Sequence, residues 1–174
     1  PDRDTYTELA AMCHDRGIVL VADEVYRGIE ADPSTTLPQA ADLSPSAVSI
    51  NVLSKSYGLP GLRVGWAATQ DRALLSRLER LKHYTSICNP GLTELLAVAA
   101  LNVGDQLHAR NRDIVAANVD LVRAFCDDVP GFLEFESPIG GCVSFPRYLG
   151  TEGPDAFAQR AVEEAGILTL PASF

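Results

Sequence analysis

The segment Ile18-Val19-Leu20-Val21-Ala22 constrains the fold of this chain more than any other. It is short, continuously apolar and mostly β-branched, the pattern of a strand covered on both faces, and it ends abruptly at Asp23-Glu24. Before it, Thr5-Tyr6-Thr7-Glu8 fits a helix-opening capping box, Leu9, Met12 and Cys13 supply an apolar stripe, and Gly17 suits a left-handed helix end. A helix followed by a buried strand is the repeating unit of an α/β sheet.

The same alternation continues. A loop rich in Pro, Ser and Thr (residues 32–46) leads to a second strand from Ala47 to Leu53, which runs into Ser54-Lys55. A Gly/Pro turn follows, and Val64 to Thr69 reads as a third strand. Asp71 opens a helix with Leu74, Leu75, Leu78 and Leu81 on one face. Asn89-Pro90 opens another, expected to end at Gly104. Residues 105–129 form the longest helical candidate, a connector between two domains. Beyond it, Phe132–Phe135, Cys142–Phe145 and Ile167–Leu170 read as strands around a helix from Pro154 to Ala165. The expected architecture is a three-layer α/β domain with a mainly parallel sheet over residues 1–115. Part of a small α+β domain follows over residues 116–174.

Two strands thus end in ionisable groups, Asp23 and Lys55. Ligands of open α/β sheets bind at the carboxyl ends of the strands, so an acid and an amine arrive at one edge. Either residue alone would also suit a strand end that simply meets water. Lys55 has a further partner in Arg63, inside the turn Gly58-Leu59-Pro60-Gly61-Leu62. An amine held beside a fixed guanidinium suits a cofactor that carries both an aldehyde and a phosphate.

Other chemistries find less support. The net charge of −9 over 174 residues argues against a nucleic-acid or anionic-membrane surface. The longest apolar run, Leu95 to Leu101, is far too short to span a bilayer. Cys13, Cys88, Cys126 and Cys142 are scattered among apolar neighbours, which suggests buried reduced thiols in a cytoplasmic protein. With His14, His83 and His108 equally dispersed, no metal is expected. Gly58, Gly61 and Gly65 precede a strand instead of a helix, so they do not make a dinucleotide loop. Gly140-Gly141-Cys142 reads as a tight turn into a strand, because nothing nearby in sequence activates the thiol. The chain opens on Pro1 and stops soon after a strand-like run, so both ends are expected to be cuts in a longer protein.

Asp23-Glu24-Val25-Tyr26, then Ser54-Lys55, then Gly61-Leu62-Arg63-Val64-Gly65 together resemble the pyridoxal-phosphate aminotransferases of fold type I, the class I/II group. The resemblance implies that Lys55 forms the imine with pyridoxal 5'-phosphate and later carries the proton in transfer. It implies that Asp23 pairs with the pyridinium nitrogen, Tyr26 donates to the ring 3'-oxygen, Arg63 grips the phosphate bidentately and Ser54 adds a hydroxyl to it. Many members of the family carry a hydroxyl residue three positions before the lysine, where this chain has Val52. The implied reaction moves an amino group between an amino acid and a 2-oxo acid, in an obligate homodimer. Lyases and cyclases of the same fold, or a fragment keeping only the fold, are the alternatives. The carboxylate-binding Arg and the stacking aromatic ring are expected outside these residues.

Overall fold

The computed structural model describes residues 1–173. These residues divide into two compact units, one of residues 1–115 with 139–142 and one of residues 116–138 with 143 onward.

In the first unit, α1 (Arg3–Asp15) starts one turn earlier than the capping box suggests, because the Asp2 carboxylate accepts the Thr5 N–H at 2.8 Å. Gly17, at φ +66°, then turns the chain back toward β1 (Leu20–Asp23). β1 pairs in parallel with β2 (Ala47–Val52), in the register Leu20↔Ala47 to Asp23↔Ile50. β3 (Gly65–Thr69) pairs with β2 antiparallel, from Val48↔Thr69 to Val52↔Gly65. The three-stranded sheet, in order β1-β2-β3, is therefore mixed, where the sequence suggested a mainly parallel one. The Gly/Pro segment between β2 and β3 is a hairpin connection: Leu53 and Val64 bond at its root, and it holds a 3-10 turn over Pro60–Leu62 instead of the helical crossover that a parallel neighbour needs.

α1 packs against β1, and the four-residue α2 (Ala40–Leu43) against β1 and β2. The sequence pattern gave no sign of α2 inside the Pro/Ser/Thr loop. α3 (Arg72–Thr85) is capped by Asp71, whose carboxylate accepts the Leu74 N–H at 2.9 Å, and packs against β3. α4 (Gly91–Asn102) ends at Val103, and Gly104 opens α5 (Gly104–Asp128) where it was expected to end α4. Ala47, Ser49 and Leu53 are fully buried along β2 and just beyond it. β1 is covered less than its sequence suggests: Val19 and Val21 are 48% and 62% exposed.

The second unit holds β4 (Leu133–Glu134) and β5 (Arg147–Tyr148), paired antiparallel, and α6 (Pro154–Ala165). Its core is aromatic, with the Phe132 ring 5.5 Å from Phe157 and 5.8 Å from Tyr148, and Tyr148 stacked on Phe157 at 4.3 Å. Arg147 pairs with Glu134 across the two strands. Cys142–Phe145 and Ile167–Leu170 are not strands: neither run finds a neighbour to pair with among the described residues.

Candidate active site

The site begins where β1 and β2 end. Asp23 is the last residue of β1, and its carboxylate accepts the Val25 N–H of its own turn at 3.3 Å. The chain then turns tightly, with Arg27 N–H donating to the Glu24 carbonyl and Ile29 N–H to that of Tyr26. Tyr26 sits half-buried in this turn, against the backbone of Gly141. A side chain on Gly141 would start 3.4 Å from the Tyr26 ring, and one on Gly140 would start 2.8 Å from Glu30 Cα. Gly140-Gly141 is thus the wall behind Tyr26, with Ala31 N–H bonded to the Ile139 carbonyl at 2.9 Å. The turn foreseen at Gly141 is present at φ +90°, but it leads into no strand.

Glu24 points the other way. Its carboxylate accepts the Ala40 N–H at 2.8 Å, the Ser49 hydroxyl at 2.7 Å and the Asn51 amide at 3.3 Å. It binds the start of α2 and the interior of β2 to the Asp23–Tyr26 turn. Burial and the Glu24 charge together push the Tyr6 phenol above its usual range.

Lys55 is set by the buried Leu53. Leu53 donates its N–H to the Val64 carbonyl at 3.0 Å and accepts the Leu59 N–H at 2.9 Å, closing the segment between β2 and β3 at its root. Gly58 N–H bonds to the Lys55 carbonyl at 2.9 Å, so Lys55 opens a tight turn with Gly58 at φ +70°. The Lys55 amine lies over the Tyr26 ring, 5.9 Å from its centroid. The two loops also share a backbone bond, Ser56 N–H to the Val25 carbonyl at 3.2 Å.

Arg63 follows a 3-10 turn over Pro60–Leu62 and occupies the left-handed region, φ 53° and ψ 40°. Its guanidinium is exposed and donates to the Pro60 carbonyl at 2.9 Å and the Ser54 hydroxyl at 3.4 Å. Ser54 and Arg63 therefore form one cluster of donors with a free edge, as an anion requires. Val52 departs from the hydroxyl residue common in the resembled family. It lies opposite Gly65, and a side chain on Gly65 would start 2.7 Å from Val52 Cγ1. The Val52 side chain fills the space that Gly65 leaves.

The structure thus joins Lys55 to Tyr26, and Ser54 to Arg63, and delivers Asp23 to the same end of the parallel pair. One sequence expectation fails. All four cysteines are free, but only Cys13 is buried, while Cys88 and Cys142 are exposed. Among the described residues, no group of three His, Cys, Asp or Glu side chains converges as metal ligands. No described helix is long and apolar enough to cross a membrane.

Sequence reasoning missed Tyr57 and His108. Their rings lie 4.4 Å apart, and Nε2 of His108 is buried without a hydrogen-bond partner. Burial, then the nearby Arg112 charge, lowers the His108 pKa, while burial raises that of Tyr57. Only the position of Tyr57, two residues beyond Lys55, pointed to it in the sequence.

The chain is similar to known proteins over nearly all of its length. The chain is 30% identical over 166 residues to capreomycidine synthase of Streptomyces vinaceus, covering 95% of this chain and 42% of that protein. It is 27% identical to an aspartate aminotransferase of Bacillus subtilis, over 97% of this chain and 46% of the relative. Among solved structures, a PLP-dependent aminotransferase from Streptococcus suis superposes with a TM-score of 0.90 at 26% identity, covering 99% of this chain and 45% of that one. The PLP-dependent cyclase OrfR superposes with a TM-score of 0.84 at 26% identity, covering 99% of this chain and 46% of that one. The chain therefore spans less than half the length of the relatives it matches. The family profile of class I and II aminotransferases matches residues 1–174 throughout, and the chain belongs to that family.

Proposed function

We propose that the intact protein is a pyridoxal-phosphate-dependent aminotransferase acting on an amino acid and a 2-oxo acid, and that this chain carries the covalent anchor of its cofactor. The observation that carries the reading is the Lys55 amine over the Tyr26 ring, with the Ser54–Arg63 donor pair in the same loop. The donor set fits the cofactor group by group. Lys55 offers an amine to its aldehyde, Asp23 a carboxylate to its ring nitrogen, and Tyr26 a phenol to its ring hydroxyl. Ser54 and Arg63 offer a hydroxyl and a guanidinium to its phosphate. When bound, the cofactor supplies an electron sink that makes the α-proton of an amino acid removable.

The chain's own residues do the rest. Lys55 would hold the cofactor and then, freed by substrate, would be the amine that takes the proton from the substrate α-carbon and delivers it to the C4′ carbon of the cofactor. The tight turn ending at Gly58 keeps it at one place through both tasks. Asp23, at the end of a paired strand, keeps the proton on the ring nitrogen. Arg63 is held by Pro60 and Ser54 before any anion arrives, which lowers the entropy lost on binding. A second copy of the chain as partner, as in the resembled family, belongs to the same reading. So does a reducing, cytoplasmic setting.

A second reading, cyclisation on the same scaffold, is favoured by the similarity to capreomycidine synthase and to OrfR. The two separate in one assay, because a transaminase stalls without a 2-oxo acid acceptor and a cyclase does not. Lys55→Ala in the intact protein is expected to abolish the visible absorbance of bound cofactor and to cut turnover by at least about a thousandfold. Unchanged absorbance and turnover would sink both readings.

A further inference from the structure

The loops that carry Lys55 and Tyr26 share a third element, the first turns of α5. His108, Asn111 and Arg112 are spaced three and four residues apart, so they lie on one face of that helix. Asn111 Nδ2 donates to the Ser56 carbonyl at 2.8 Å, one residue beyond Lys55. Arg112 Nη1 donates to the Gly28 carbonyl at 2.8 Å, two residues beyond Tyr26. Both contacts are part-buried, so each carbonyl depends on its α5 donor more than on water.

The two glycines in these loops show how closely the helix approaches. A side chain on Gly58 would start 2.9 Å from Asn111 Nδ2, and one on Gly28 would start 2.7 Å from the His108 ring. Both glycines have positive φ, +70° and +95°. Each loop therefore presents a residue without a side chain to α5 and has a carbonyl held by the same helix. Adjacent residues of one rigid helix thus grip the two loops separately, while Ser56 N–H and the Val25 carbonyl tie the loops to each other.

We propose that Asn111 and Arg112 are positioning residues of the site: by holding the Ser56 and Gly28 carbonyls from one helix, they fix the Lys55 amine relative to the Tyr26 phenol and the Asp23 carboxylate. The inference rests on the reading of Lys55 as the cofactor anchor. Neither residue touches the reacting atoms. Their effect passes through the turn that opens at Lys55 and the turn that contains Tyr26.

The test uses the intact protein and the variants Asn111→Ala, Asn111→Asp and Arg112→Lys, with Val48→Ala and Lys55→Ala as references. In the cofactor-free protein, both Asn111 variants are expected to speed amide exchange at Ser56, Gly58 and Leu59 about fivefold or more, the size of one lost hydrogen bond. With pyridoxal phosphate bound, all three are expected to shift the pH midpoint of its visible absorbance and to lower kcat about tenfold, with KM changed less. Val48, 3% exposed in β2, touches neither loop, and its truncation is expected to lower Tm without moving that midpoint.

Wild-type exchange at residues 56–59 with a wild-type midpoint would overturn the proposal. So would faster exchange with an unmoved midpoint, which makes α5 a scaffold only, or an Asn111→Asp protein that behaves as wild type. If Asn111→Ala does not fold, Arg112→Lys decides on the midpoint alone. Lys55→Ala tells the two failures apart. If it loses the absorbance while the α5 variants change nothing, the positioning role falls and the function stands; if it keeps absorbance and turnover, the function itself falls.

Discussion

Replacing Glu24 tests whether the Asp23–Tyr26 turn is held from beneath by a buried charge. The Glu24 carboxylate is the acceptor for Ala40 N–H, the Ser49 hydroxyl and the Asn51 amide. Ala40 and Ser49 are 0% exposed and Asn51 is 7% exposed, so none of the three has ready access to water. Glu24→Ala leaves at least the Ala40 N–H and the Ser49 hydroxyl without their acceptor. At about 1–3 kcal/mol for each buried unsatisfied group, the expected loss is about 2–6 kcal/mol. Glu24→Gln keeps the oxygen facing Ala40 and Ser49 but can turn an amide donor toward the Asn51 donor, at a cost of about 1–2 kcal/mol. Urea unfolding of the intact protein, with the slope m unchanged, measures both losses. Cofactor affinity is expected to fall in the same order, because the turn links Glu24 to Asp23 and Tyr26. A loss below about 1 kcal/mol for Glu24→Ala, or equal losses for Ala and Gln, would refute the reasoning.

Two further perturbations have distinct signatures. Arg63→Gly removes the guanidinium but also the left-handed strain at φ 53°, so it is expected to weaken cofactor binding while raising stability by about 1 kcal/mol, read by cofactor titration and by Tm. His108 has a lowered pKa in the fold, through burial and the Arg112 and Arg27 charges against the opposing Asp105 and Glu30, with the Tyr57 ring at its side. Its contribution to stability is therefore complete above the ordinary histidine pKa near about 6.5 and declines as pH falls below it, since the unfolded chain takes up a proton that the folded one resists. Denaturation across pH 5–8 should show that slope of at most one proton, and His108→Gln should flatten it.

What the sequence made legible was local chemistry. Asp23, Lys55 and Arg63 each stand at an abrupt change from apolar strand to polar turn, and such a boundary shows in a single stretch of chain. Helices with clear start signals were legible for the same reason, the capping carboxylate of Asp71 and the first-turn proline Pro154. Strands that depend on a partner were not. Cys142–Phe145 and Ile167–Leu170 have the composition of strands, yet Val143, Phe145, Leu168 and Leu170 are 62–80% exposed. Strand propensity reflects fit to a neighbour, and neither run has one among the described residues. β5 fails in the opposite direction, because two residues carry no period to read. The grip of α5 on both loops was illegible because Asn111 meets Ser56 across 55 positions, and no local pattern encodes such a contact.

The one topological surprise explains the contact between Ser54 and Arg63. In a parallel arrangement, the start of β3 would lie opposite the start of β2, and Arg63, two residues before β3, would fall nine residues from Ser54 along the strand direction, about 30 Å at roughly 3.3 Å per residue. The antiparallel register sets Gly65 opposite Val52 instead, so the chain enters β3 where it has just left β2. Leu53 and Val64 bond to each other at that root, and Ser54 and Arg63 emerge one residue further out on either side. Their 3.4 Å contact follows from the hairpin register alone. The parallel pair β1–β2 does the complementary work, running both strands to one edge of the sheet, with Asp23 opposite Ile50 and Lys55 five residues beyond it. A mixed sheet therefore does two things here: the parallel pairing ends the strands that carry Asp23 and Lys55 at the same edge, and the antiparallel one brings the guanidinium to the hydroxyl.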